Sequence, residues 1–154
     1  MRIYGQTTNG VVFAIDDCAI TELYQSADLG IEKITTILAD PYDAGKIYLG
    51  TDGNVIYYGK FGDSINNLDR IPVDPLNNIH WLNYDCNRVW VSSTSMIGYI
   101  DTDSSFKELT NVDFNSGIEM VTSDYQGNLC SLDSRLQLRQ PRDDSMGIRQ
   151  LRYQ

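Results

Sequence analysis

Little in this chain of 154 residues points to metal, redox or proton-transfer chemistry. There is a single histidine, His80, so no histidine-rich metal site can be built. The three cysteines, Cys18, Cys86 and Cys130, are an odd number and match no C-x-x-C ligand spacing. They read as reduced, partly buried small hydrophobes, with a cysteine-based metal or redox site as the alternative. No apolar run approaches the roughly eighteen residues of a membrane-crossing helix, and the start Met1-Arg2-Ile3-Tyr4-Gly5 enters a strand pattern too early for a signal peptide's apolar segment. The expectation is a chain with no membrane association, cytoplasmic or in a virion. Basic residues are scarce as well, with 12 Lys and Arg against 21 Asp and Glu and a net charge of −9. Residues 1–134 carry a charge of −12 and residues 135–154 a charge of +3, an acidic body that would repel a phosphate backbone. Nucleic acid is therefore not an expected partner.

Recurrence is what the chain does have. Isoleucine is followed six residues later by aspartate at Ile34 and Asp40, Ile79 and Asp85, and Ile118 and Asp124, each pair leading into a short apolar strand. A repeat of about forty residues built on short strands is the signature of propeller blades. Asn9-Gly10 and Asp52-Gly53-Asn54 each separate two strand-like runs, and their glycines, Gly10 and Gly53, are expected at positive φ. Ile3–Thr7 and Ile47–Thr51 share one register 44 residues apart, so the first unit lacks an opening strand. Val55-Ile56-Tyr57-Tyr58 and Val89-Trp90-Val91 are apolar on both faces, as strands covered on two sides must be. No segment sustains a helical period. The reading is all-β, a β-propeller-type array of about four short blades, with a β-sandwich as the alternative. Blades fall at about 1–30, 31–75, 76–113 and 114–140, and residues 141–154 form a basic final strand or docking arm.

Ala39-Asp40-Pro41-Tyr42-Asp43 and the following Lys46-Ile47-Tyr48-Leu49-Gly50-Thr51-Asp52-Gly53 resemble the blade repeat of sortilin-type and sialidase-like (BNR-type) propellers and of the sensor propellers of two-component regulators. The resemblance implies architecture and is nearly silent on activity. The Ser-x-Asp-x-Gly-x-Thr-Trp box of sialidases is absent, so no glycosidase residue carries over.

Candidate chemistry is sparse. Asp40, Asp85 and Asp124 recur in equivalent loops, but blades spread equivalent positions around a ring, whereas the two carboxyls of a glycosidase lie within about 10 Å. Each Asp is expected to fix its own turn through backbone N–H groups. Asp101-Thr102-Asp103-Ser104-Ser105 alternates oxygen ligands but lacks the glycine and glutamate of a calcium loop, and it reads as a polar turn. His80 reads as a structural residue in a first strand. Tyr48 and Trp90, in matching second strands, are expected to pack between blades. Tyr42, Tyr84 and Tyr125 flank the Asp loops and are the candidate binding residues, standing on one rim. Arg149, Leu151, Arg152 and Tyr153 are the candidate assembly residues.

The reading that follows is a non-catalytic structural or interaction module working as a subunit of a larger assembly, such as a phage tail or capsid accessory protein. Its partner is another protein or further copies of itself, and no cofactor is expected. A propeller binding a carbohydrate is the alternative and implies a glycan ligand; a glycoside hydrolase-like enzyme comes third.

Overall fold

The structure is a computed structural model that describes residues 2–30, 33–110, 117–123, 129–133 and 138–139. Four antiparallel sheets follow one another along the chain. The first holds β1 (Arg2–Gln6), β2 (Val12–Asp16) and β3 (Ala19–Tyr24). The second holds β4 (Ile34–Ala39), β5 (Lys46–Thr51), β6 (Val55–Lys60) and β7 (Asp69–Pro72). The third holds β8 (Trp81–Asp85), β9 (Arg88–Ser92), β10 (Ile97–Ile100) and β11 (Phe106–Glu108). In the fourth, β12 (Ile118–Ser123), β13 (Leu129–Asp133) and β14 (Leu138–Arg139) are described. Strands pair in sequence order within every sheet, the meander of a propeller blade. Two short 3-10 turns, Ser26–Leu29 and Ile65–Asn67, are the helical segments among the described residues.

The sheets stack face to face, with β1 packed on β4, β4 on β8 and β8 on β12. This stacking explains the doubly apolar strands. Val55 and Tyr57 enter the core between the first two sheets, beside Val12, Ala14 and Tyr24. Ile56, one residue over on the pleat, enters the core between the second and third sheets with Leu82, Val89 and Val91, and Tyr58 packs against it. Trp90 and Ile97 meet Ile118 and Val121 between the third and fourth. A two-sheet sandwich has one core, and each strand turns one face to it. Three successive cores give the propeller-type array.

Ile34 in β4, Ile118 in β12 and Ile79, which lies two residues ahead of β8 rather than inside a first strand, are all buried, each in the core at the junction with the preceding sheet. The matched phase of the sequence is thus a matched place in the stack. His80 lies just ahead of β8 rather than inside a strand, because β8 begins at Trp81; its Nε2 is 2.8 Å from the Thr94 hydroxyl.

The turns meet the sequence expectations unevenly. Gly10 has φ 79, and its N–H bonds the Thr7 carbonyl at 2.9 Å to close the turn. A Cβ there would lie 2.5 Å from the Ser26 hydroxyl oxygen. Gly10→Val should therefore cost at least about 1–2 kcal/mol, the left-handed penalty, measured as a shift in urea unfolding. Gly53 does not share this conformation. Its turn is held by other means: the Thr51 hydroxyl bridges the Val55 carbonyl at 2.8 Å and the Gly53 N–H at 3.3 Å, and the Gly53 carbonyl accepts from Asn78.

Cys86-Asn87, like Asp17-Cys18 between Asp16 and Ala19, is a two-residue hairpin; it joins the paired ends Asp85 and Arg88 with φ values of 50 and 58. Both residues at positive φ make the mirror-image turn that suits strand twist. Cys86 is thereby exposed, as is Cys18 in the hairpin between β2 and β3. Both depart from the expected burial, since hairpin tips project into solvent whatever residue they carry. Cys130 lies in β13.

Candidate functional site

The junction of the second and third sheets carries a cleft of about 340 Å³. Its wall on the second sheet comes from the loop after β4 and from Tyr48 and Tyr58; Tyr84, Asn87 and Asp101 supply the other wall. Asp40 organises the first wall. Its Oδ1 accepts from the backbone N–H of Tyr42 at 2.8 Å and of Asp43 at 3.1 Å, the Asx turn favoured by Asp before a chain reversal. The Tyr58 hydroxyl donates to its Oδ2 at 2.7 Å. Cross-strand pairing of Tyr48 with Tyr58 stacks the two rings at 4.3 Å, and Lys46, paired with Asp43 at 2.6 Å, lies over the Tyr58 ring.

Tyr42 reaches across the junction. Its ring meets Tyr84 edge to face at 5.4 Å, and its hydroxyl donates to Asn87 Oδ1 at 3.2 Å. The structure thus brings together two of the candidate binding residues, with Tyr42 75% exposed. The third, Tyr125, and the assembly residues Arg149, Leu151, Arg152 and Tyr153 lie outside the described residues. Asp124 does too. Asp85 ends β8 and accepts from the Cys86 thiol at 3.5 Å, while its hairpin is set by the backbone of Cys86 and Asn87.

Electrostatics keep the cleft neutral at its phenols. Burial and then Asp40 push Tyr58 up to about 12, and burial with the neighbouring Tyr42 takes Tyr84 to about 12. Burial raises Tyr48 as well. Burial would raise the Asp40 carboxyl, yet the Tyr58 hydroxyl, the two backbone N–H groups and Lys46 together hold it below its ordinary value. Asp101 is similarly engaged, accepting from Lys107 Nζ at 2.8 Å and from the Thr102 N–H at 2.9 Å, while Asp103 accepts from the Ser105 N–H. Among the described residues, no three His, Cys, Asp or Glu side chains are placed to hold a metal, and no helix is long and apolar enough to cross a membrane. The cleft offers aromatic faces and hydroxyls, with its carboxylates already bonded.

A depressed carboxyl stabilises the fold above the ordinary carboxylate range, and that contribution is lost as pH falls through the folded-state value. Asp40→Asn should therefore flatten the fall in stability between neutral and acid pH, measured as urea midpoints against pH. An unchanged acid limb would remove Asp40 from the groups that hold the rim.

Sequence reasoning missed Asn87, which receives Tyr42 from 45 positions away. A two-residue spacer containing Asn between strand-like runs was the available signal. Tyr48 packs against the core between the sheets, as its place in a second strand implies, and Tyr58 joins it there.

Fold and cleft define a β-propeller-type array with a tyrosine-lined junction. No family model and no curated protein matches the chain. Among solved structures it is similar to streptogramin B lyase, a β-propeller, with a TM-score of 0.65 at 14% sequence identity, over 96% of this chain and 53% of that one. The chain spans about half the length of that lyase chain. At this identity the likeness speaks for the fold.

Proposed function

We propose that the chain is a non-catalytic interaction module working as a subunit of a larger assembly. The observation that carries this reading is the end of the stack, where Ile3 is 48% and Ile20 71% exposed on the first sheet. Apolar side chains on a sheet face stay soluble best when another surface covers them. Kinship to sortilin-type, sialidase-like or two-component sensor propellers is proposed on the blade repeat, and a phage tail or capsid accessory role is the assembly proposed for it.

The Tyr42 and Tyr84 pair favours a second reading, a carbohydrate ligand stacked on the exposed ring. A glycan array tests it; loss of a hit in Tyr42→Ala supports it. The similarity to a lyase raises an enzyme reading, and the sequence a hydrolase one. The decisive experiment is incubation of the purified chain with a streptogramin B antibiotic and with a panel of glycosides. All should survive intact, and turnover abolished by Tyr84→Phe would overturn the non-catalytic reading.

The segment with Arg149, Leu151, Arg152 and Tyr153 is proposed as an assembly arm. Deleting residues 141–154 should lower the melting temperature or the solution mass, with modest dependence on salt, since strand pairing and apolar burial would supply most of the affinity. A truncated chain unchanged in both would make the segment a passive extension.

A further inference from the structure

We propose that the cleft between the second and third sheets is a binding site for a quaternary ammonium group, held among tyrosine rings beside the Asp40 carboxylate. This ligand is independent of the assembly role, and it gives the cleft a cation in place of the sugar of the second reading.

The charged groups of the lining have one sign. Asp40, Asp43 and Asp101 line the cleft, and among the described residues no Lys or Arg does. Two of these carboxylates are balanced by cations outside the lining, Asp43 by Lys46 at 2.6 Å and Asp101 by Lys107 at 2.8 Å. Asp40 makes no ion pair among the described residues. Its bonds come from neutral donors, the Tyr58 hydroxyl and the N–H groups of Tyr42 and Asp43. Those bonds favour its charged form, so Asp40 stands in the wall as a carboxylate without a paired cation.

The bonding of the walls decides which cation suits them. The Asp40 oxygens already accept three bonds, so a primary ammonium or a guanidinium, with several N–H groups to satisfy, would have to compete with Tyr58 and the backbone. A quaternary ammonium has no N–H. Its charge is spread over methyl groups, and it is recognised by aromatic faces and by a nearby negative charge. The cleft supplies both. Tyr42 and Tyr84 meet at 77°, so their rings stand as adjoining walls, and Tyr48 stacked on Tyr58 lines the second-sheet side. Tyr58 and Tyr84, pushed up to about 12, stay neutral phenols beside the ligand. Val89 and Ile100, both buried, add apolar lining for the methyl groups. A cation over a tyrosine face is also a contact that this chain uses within itself, with Lys46 Nζ 5.5 Å from the Tyr58 ring and the Arg88 guanidinium 4.4 Å from that of Tyr99. A sugar could stack on Tyr42 as well, but its hydroxyls need free polar partners, and the three carboxylates are engaged.

The test is calorimetric titration of the full chain with choline chloride, beside the uncharged alcohol in which carbon replaces the choline nitrogen. Choline should bind, and the alcohol should bind at least roughly fivefold more weakly. Tyr42→Leu keeps apolar area but has no ring, and should weaken choline by about two- to fivefold, the factor of an exposed cation–π contact. Tyr42→Phe should retain choline. Because Tyr42 is 75% exposed, both variants should keep the wild-type circular dichroism and melting curve. Asp40→Asn, which removes the charge, should weaken choline and leave the alcohol as it was. Phosphatidylcholine vesicles are titrated in parallel: binding of choline alone marks a free ligand, binding of both a lipid head group, and either upholds the proposal. Choline that does not bind at millimolar concentration, an alcohol that binds equally well, or a choline affinity unchanged by Tyr42→Leu or by Asp40→Asn overturns it. The assembly role is judged separately, by the solution mass and melting of the chain without residues 141–154, so either can fail alone.

Discussion

Replacing Ile79 by alanine is expected to destabilise the fold by about 2–5 kcal/mol, a large part of the roughly 5–15 kcal/mol that holds a domain of this size. Ile79 is fully buried where the second and third sheets meet. Its backbone is pinned on both sides: its N–H bonds the Thr51 carbonyl at 2.9 Å, and its carbonyl accepts from the Thr35 hydroxyl at 2.5 Å. Its side chain fills the space above Gly50, where a Cβ would already stand 3.0 Å from Ile79 Cγ2. With the backbone fixed, the site cannot collapse around the lost atoms, so the truncation leaves a cavity. Ile34 and Ile118 occupy matching places, and their alanine variants should fall in the same range by urea unfolding. A loss below about 1 kcal/mol at Ile79 would mean that the junction relaxes freely and the packing argument fails.

Those isoleucines were legible because their environment repeats. Each sits at the same phase of a unit of about forty residues, and a repeating environment selects a repeating residue. Strand register was legible for a related reason: Val55 to Tyr58 must be apolar at every position when both faces are covered.

The turns were harder. Asn9-Gly10 needs positive φ and declares it, whereas Gly53 is held by the Thr51 hydroxyl and by neighbours from distant segments, which no local pattern reveals. Cys86 reads from sequence as a partly buried small hydrophobe because apolar character says nothing about a hairpin tip; the neighbouring Asn87, tolerant of positive φ, is the better guide. The cleft was half legible. Tyr42 and Tyr84 could be placed beside equivalent loops, but their meeting, and the bond from Tyr58 to Asp40, arise from the stacking of sheets and the pairing of β5 with β6. Tertiary register of that kind is not written in any short window of sequence.

Trp90 should give the other large loss, and a contrast between two substitutions there separates packing from hydrogen bonding. Trp90 is almost wholly buried between the third and fourth sheets, its ring 5.3 Å from that of Tyr99 and packed with Ile97, Ile118 and Val121. Its indole N–H has no hydrogen-bond partner among the described residues. Trp90→Ala removes the ring and should cost about 3–5 kcal/mol. Trp90→Phe keeps most of the apolar contact and deletes a buried donor that no described residue bonds, so the desolvation penalty of about 1–3 kcal/mol that an unpaired donor carries is relieved. The phenylalanine variant should therefore lie much closer to wild type than the alanine variant does, in unfolding followed by far-ultraviolet circular dichroism. If the two variants prove equally destabilised, removal of the indole N–H relieves no penalty, and the view of Trp90 as an unpaired donor held by packing alone fails.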